Sequence, residues 1–208
     1  MRLRGMPPSH ARSLARSVRF HGFTITALAR HAARVHRDSL GLVVDGWSVT
    51  FGELWSAAQG VAAVLYLGPL DRTPRPVVIA CAGPAMPLSL IAVARLGLDV
   101  MPVSRGSLEE FRRAVPQDAL LIHDGEAPAW HRGPTVQAEQ IVAWSTSDGS
   151  GLARPRRRAR IVLPDRSLAG TITTHVQGAM GVQGLRQLAG LHDRLGIEGT
   201  DVILTCAP

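Results

Sequence analysis

Ile25, Leu28, Ala29, Ala32 and Val35 recur at helical spacing behind Thr24, which predicts a helix over about 25–37 with Thr24 as its N-cap. Leu40–Val44 and Trp47–Phe51 are short β-prone runs separated only by Asp45-Gly46. Asp-Gly adopts positive φ at little cost, so the pair predicts a β-hairpin. Thr50 precedes a second helical pattern of Leu54, Ala57, Ala58, Val61 and Leu65, and Glu53 stands three residues after it as a capping-box partner. Pro74 and Pro76 end that connection.

Apolar runs then alternate in kind. Val77–Cys81, Val100–Val103 and Ala119–His123 read as strands, and Leu88–Leu96 and Leu108–Ala114 read as helices between them. Such alternation predicts an α/β fold, a mostly parallel sheet with packed helices and an early β-hairpin. Gly125, Pro128, Gly133 and Pro134 make 124–138 a loop, and Ile141–Trp144 is expected to be a strand leading into a Ser/Thr/Gly-rich loop. Ile161–Leu163 is expected as a short strand, Asp165 as the cap of a long helix to about 194, and Asp201–Cys206 as a last strand. A strand placed last leaves an edge that a following element normally covers, so the domain is expected to be incomplete at Pro208.

Composition narrows the class. The chain has 208 residues, 46% hydrophobic and 19% charged, which is globular, and its 4% aromatic content points to an Ala/Val/Leu core. All 23 Lys+Arg residues are Arg, which excludes a lysine on phosphate and a Schiff base. The net charge of +7 suggests a polyanion as partner. However, Arg2, Arg4, Arg12, Arg16, Arg19, Arg30, Arg34 and Arg37 all precede the first acidic residue, Asp38, and a second group lies between Arg154 and Arg160. The middle is nearly balanced and few aromatics are available for base stacking, so nucleic acid is not the expected partner. Residues 1–21 are read as a basic, flexible leader and 22–208 as the domain. Cys81 and Cys206 lack CxxC spacing and no secretory segment precedes them, so a reduced, cytoplasmic protein is expected. The apolar stretch 76–103 is broken by Gly83, Pro84, Pro87 and Arg95, which fits a buried strand, turn and helix better than a membrane span.

Candidate chemistry concentrates in residues 141–160, where an apolar run leads into a loop rich in hydroxyls and glycine and closed by arginines. Backbone N–H groups, hydroxyls and positive charge together suit a triphosphate. Thr146, Ser147, Gly149, Ser150, Gly151, Arg154 and Arg156 are the candidate nucleotide-binding residues. Asp148 sets a carboxylate among them, and its charge opposes a phosphate. Gly178, Gly181 and Gly184 lack the dinucleotide spacing, and His31, His36, His123 and His131 lack partners at ligand spacing, so no metal site is expected. No Ser stands in GxSxG, and no residue is assigned a catalytic role.

Four segments, taken in order, resemble the N-terminal part of the AMP-forming adenylating enzymes, the acyl-CoA synthetase superfamily. They are Val49–Leu54 after the hairpin, Ile91–Gly97 with Val100–Val103, Thr146–Gly151 with Arg154-Pro155-Arg156, and Asp201–Pro208. The resemblance spans about 22–208 and implies an incomplete AMP-binding domain. It implies ATP-dependent activation of a carboxylic acid to an acyl-adenylate and then a thioester, with ATP, Mg and coenzyme A as the family's cofactors and fatty acid metabolism as the setting. In that frame the Thr146–Gly151 loop is the phosphate loop, with Asp148 at a family Gly and Arg154 or Arg156 where the family has Lys. A fragment of this kind is not expected to be active alone, and a complementary polypeptide supplying the missing half is the expected partner. The alternative from composition is a non-catalytic, Arg-rich anion or nucleic-acid binder.

Overall fold

A computed structural model describes residues 8–21, 24–152, 159–166 and 172–177. Pro8–His21 forms helix α1 and Ile25–Val35 helix α2, with Thr24 Oγ1 accepting from the Ala27 N–H at 3.4 Å as the predicted N-cap. Strands β1 (Leu40–Val44) and β2 (Trp47–Thr50) form the predicted hairpin, turning at Asp45 and Gly46 with φ of 49° and 77°. Helix α3, Phe51–Leu67, begins directly from the hairpin. Its capping box is complete, because Thr50 Oγ1 accepts from the Glu53 N–H at 3.2 Å and Glu53 Oε2 accepts from the Thr50 N–H at 2.8 Å.

The main sheet has strand order β6-β5-β3-β4-β7-β8, built from β3 (Val77–Ala80), β4 (Val100–Pro102), β5 (Leu120–His123), β6 (Thr135–Gln137), β7 (Ile161–Arg166) and β8 (Ile172–Gln177). The first five are parallel, and β8 returns antiparallel beside β7. Helix α4, Ala85–Leu96, carries the chain from β3 to β4, and the chain then steps back past β3 to reach β5. Right-handed connections in opposite directions must lie on opposite faces of the sheet. The packing agrees. Val77, Ile79, Leu120, Ile122 and Val136 join α3, α4 and Ile141 in one core, while Val78, Ala80, Leu121 and Met101 pack with Leu108 and Val115 in the other. Successive strand residues thus alternate between two apolar layers, and all four residues of β3 and of β5 are buried.

Four sequence expectations are corrected. Leu108–Ala114 is not a helix: a short 3-10 turn at Arg105–Ser107 leads into further turns, with Leu108 and Val115 as its apolar anchors. Within the expected loop 124–138, Thr135–Gln137 forms β6, a three-residue strand too short for periodicity to reveal. Ile141–Trp144 is the end of helix α5, Ala138–Trp144, because Gln137 and Gln140 form a capping box and only Ile141 of the apolar pair is buried. The long helix expected after Asp165 does not start there. Strand β7 runs through Arg166, and the β-branched residues Ile172, Thr173, Thr174 and Val176 form β8 paired to it. The expected helix beyond 177, the Gly178–Gly184 pattern and the Asp201–Cys206 strand lie outside the described residues. Among the described residues no helix is long and apolar enough to cross a membrane.

Candidate functional site

Five of the seven candidate residues, Thr146, Ser147, Gly149, Ser150 and Gly151, sit together in the turn that follows α5, and Arg154 and Arg156 lie outside the described residues. The polar groups of this turn close on one another. Ser145 Oγ donates to the Val142 carbonyl at 2.6 Å, Thr146 Oγ1 to the Ala143 carbonyl at 3.2 Å, and the Ser147 N–H to the Trp144 carbonyl at 3.0 Å. The Ser150 N–H and hydroxyl both donate to the Asp148 carboxylate, at 2.8 and 3.0 Å. Those bonds, the backbone one first, hold the Asp148 carboxyl below its ordinary value.

Packing fixes the same turn from below. A Cβ on Gly60 of α3 would meet the Ser147 carbonyl oxygen, and the Trp144 carbonyl at 3.0 Å. A Cβ on Gly149 would meet the backbone of Gln59. Two glycines therefore allow backbone to touch backbone. At the far end, Arg95 in the last turn of α4 donates through Nη2 to the Leu152 carbonyl at 3.0 Å. The chain then reaches the Arg160 carbonyl, which accepts from the N–H of Val100, the first residue of β4, at 2.9 Å. The turn thus leads toward the edge where the parallel strands start.

Among the described residues, the side-chain donors of Ser145, Thr146 and Ser150 in this turn are already engaged. The two donors on Ser150 are held by Asp148, the hydroxyls of Ser145 and Thr146 are held by α5, and the one charged side chain between 145 and 152 is the acidic Asp148. For magnesium, the described residues contain no group of three or more His, Cys, Asp or Glu that could act as ligands.

Sequence reasoning missed a second polar cluster, at the opposite edge of the sheet. There β3 leads toward one side of the sheet and its neighbour β5 toward the other, a switch point of the kind where open α/β sheets leave a crevice. Asp124 Oδ2 accepts from the Ala82 N–H at 3.2 Å, and Arg105 Nε stands 3.6 Å from Asp124 Oδ1. Gln137 Nε2 donates to the Gly125 carbonyl at 3.0 Å. Asp124 therefore joins the ends of β3 and β5 to the turn after β4, and Gln137 adds β6. Cys81 offers no nucleophile here, since burial, with Asp124 and Glu139 nearby, pushes its thiol up to about 12. His123 is 3% exposed, and burial pushes its imidazole below 6.5. The signal available in sequence was the polar residue directly after each apolar strand run, Asp124 after His123 above all.

No protein-family profile matches the sequence. Solved structures do match its fold. The N-terminal subdomain of Klebsiella oxytoca NpsA, in complex with 3-hydroxybenzoyl-AMSN, is similar at a TM-score of 0.60 and 20% identity, over 76% of this chain and 41% of that one. O-succinylbenzoate coenzyme A synthetase (MenE) from Bacillus subtilis, in complex with AMP, gives 0.63 and 15%, over 82% and 46%. A nonribosomal peptide synthetase in its α-methyl-L-serine-AMP bound form gives 0.62 and 16%, over 89% and 22%. The chain has the fold of the N-terminal portion of these adenylating enzymes and spans less than half of each.

Proposed function

We propose that this chain is the N-terminal portion of an adenylate-forming ligase, one that activates a carboxylic acid with ATP and passes the acyl group to a thiol. The observation that carries this reading is the whole fold: an Asp-Gly hairpin, a capped α3 and a five-stranded parallel sheet with an antiparallel edge, matched by adenylating enzymes at TM-scores of 0.60–0.63. Chemistry of this type depends mainly on positioning and on neutralising charge at phosphoryl oxygens. The described residues supply the frame for that work. In this reading the Thr146–Gly151 turn braces α5 against α3, and contacts to phosphate are made elsewhere.

The chain spans 41% of the NpsA subdomain and 46% of the MenE chain, and the proposal includes a complementary polypeptide that supplies the remainder. MenE is also solved with ATP and magnesium ion, and those are the proposed cofactors of the assembled enzyme, with coenzyme A as thiol. The test is ATP–pyrophosphate exchange over a panel of fatty and aryl carboxylic acids. It is run with the chain alone and mixed with separately expressed polypeptides carrying the remainder of an adenylating enzyme. Exchange is expected only on mixing, and Ser150→Ala is expected to leave it unchanged. Exchange by the chain alone overturns the need for a partner. Absence of exchange in every mixture overturns the ligase reading.

A further inference from the structure

Among the described residues α1 packs chiefly on α2, and α2 packs in turn on α3 and α4. Three histidines meet at one end of the α1–α2 pair. The rings of His10, near the start of α1, and His36, the C-cap residue of α2, stand edge to face with their centroids 5.5 Å apart. His31 lies on α2 within electrostatic reach of both: burial lowers its pKa, and the charges of His10 and then His36 lower it further. Its Nδ1 is buried with no hydrogen-bond partner. The His36 ring also lies 6.4 Å from the ring of Phe51, the first residue of α3. The charged residues on the elements that meet here are Arg12 on α1, Arg30 and Arg34 on α2, Arg37 and Asp38 after it, and Glu53 in the first turn of α3. Glu53 is engaged by Thr50, and residues 1–37 contain no Asp or Glu. Ser13 and Ser17, four residues apart on one face of α1, have buried hydroxyls without partners, so they add nothing to the hold on this helix.

We propose that His10, His31 and His36 form an acid-opened clasp, through which a fall from neutral to mildly acidic pH releases α1 from α2. Imidazole is the side chain whose charge changes in this range. Neutral rings pack at this spacing as flat, weakly polar surfaces. Imidazolium ions at the same spacing repel, and a charged ring buried without a partner must regain water. Separating the two helices relieves both. The helix that leaves is α1, because α2 is also held by α3 and α4. The sign follows from His31, whose folded value is lowered, so the unfolded or opened chain binds the proton more readily. The clasp is at full strength above about 6.5 and weakens as pH falls toward the lowered value.

Hydrogen–deuterium exchange of the full chain tests the proposal, read by peptide mass spectrometry at pH 7.5 and 5.5 and corrected for the intrinsic pH dependence of amide exchange. Amides of α1 are expected to lose roughly tenfold in protection at pH 5.5, more than those of α3 and β5. The variant H10Q/H31Q/H36Q is expected to give α1 the same protection at both pH values. H123Q, which alters a buried histidine of the sheet, is expected to leave the α1 response in place. Equal protection of α1 at both pH values in the unaltered chain overturns the clasp. So does a loss that α3 and β5 share in full, which is global unfolding. A response that persists in the triple variant overturns the role of the histidines. If that variant leaves α1 unprotected already at pH 7.5, H10Q and H36Q decide singly, since each removes one member of the ring pair: a smaller response supports the clasp and a full-sized one in both overturns it.

Discussion

Thr50 and Glu53 show how much one pair of side chains decides locally. They satisfy two orphan donors at the start of α3 and fix the corner where the hairpin ends. Thr50→Ala removes the side-chain cap and is expected to cost about 1 kcal/mol, a fall in melting temperature of roughly 2–4 °C for a chain of this size. Thermal denaturation followed by circular dichroism checks it. At Cys81 the raised thiol, about 12, predicts alkylation by iodoacetamide at pH 8 far slower in the native protein than in urea. Peptide mapping by mass spectrometry reads that ratio directly, and equal rates would contradict the burial argument. His123 works through pH. Its folded value lies below 6.5, so the unfolded chain binds the proton more readily, and stability is full above about 6.5 and lost as pH falls toward the lowered value. Urea unfolding at pH 7.5 and 5.5 should show that loss, and His123→Gln should make the difference smaller.

Between elements, the contact of α3 with the turn after α5 rests on two residues without side chains. Ala is the better helix former by about 1 kcal/mol, so Gly60→Ala would stabilise an isolated α3. In this fold the added methyl meets the Ser147 and Trp144 carbonyls, and overpacking of that kind costs about 1–3 kcal/mol. Net destabilisation is the expected result, read as a lower urea midpoint. A stabilised Gly60→Ala protein would mean that α5 and its turn do not sit on α3. The same contact explains the chemistry of the turn. Ser and Thr hydroxyls that sequence alone offers to a phosphate are used to end a seven-residue helix and to hold Asp148.

At the scale of the molecule, the sheet separates two apolar layers, and its centre is the least tolerant place. Ile122 is fully buried between α3, α4 and the middle strands, and Ile122→Ala is expected to cost about 2–5 kcal/mol. Val43, 51% exposed on the hairpin, is expected to accept Thr within about 0.5 kcal/mol. Equilibrium urea unfolding of both variants separates a core position from a surface one. The sheet's two edges also differ in character. The edge where strands end gathers Asp124, Arg105 and Gln137, and the edge where they begin is tied by Arg160, whose Nε and Nη2 donate to Asp99 at 3.0 and 2.6 Å.

Local patterns were enough for α2, the hairpin, α3, β3, α4, β4 and β5. In each case the signal is a periodicity or cap carried by residues within a few positions of one another, where backbone preference and burial agree. The α/β class followed from their alternation, and four motif segments taken in order carried the resemblance to adenylating enzymes, whose fold the solved structures share. Tertiary structure alone decided the rest. Three-residue β6 exists because β5 offers it a partner, and β8 is a strand because β7 lies beside it. Ile141 belongs to a helix because the α3–α4 layer buries it and leaves Val142 outside. The approach of Gly60 to the turn after α5 is set by packing between segments distant in sequence. Spacing along a chain cannot encode such contacts, because the energy that fixes them arises only when both surfaces are in place.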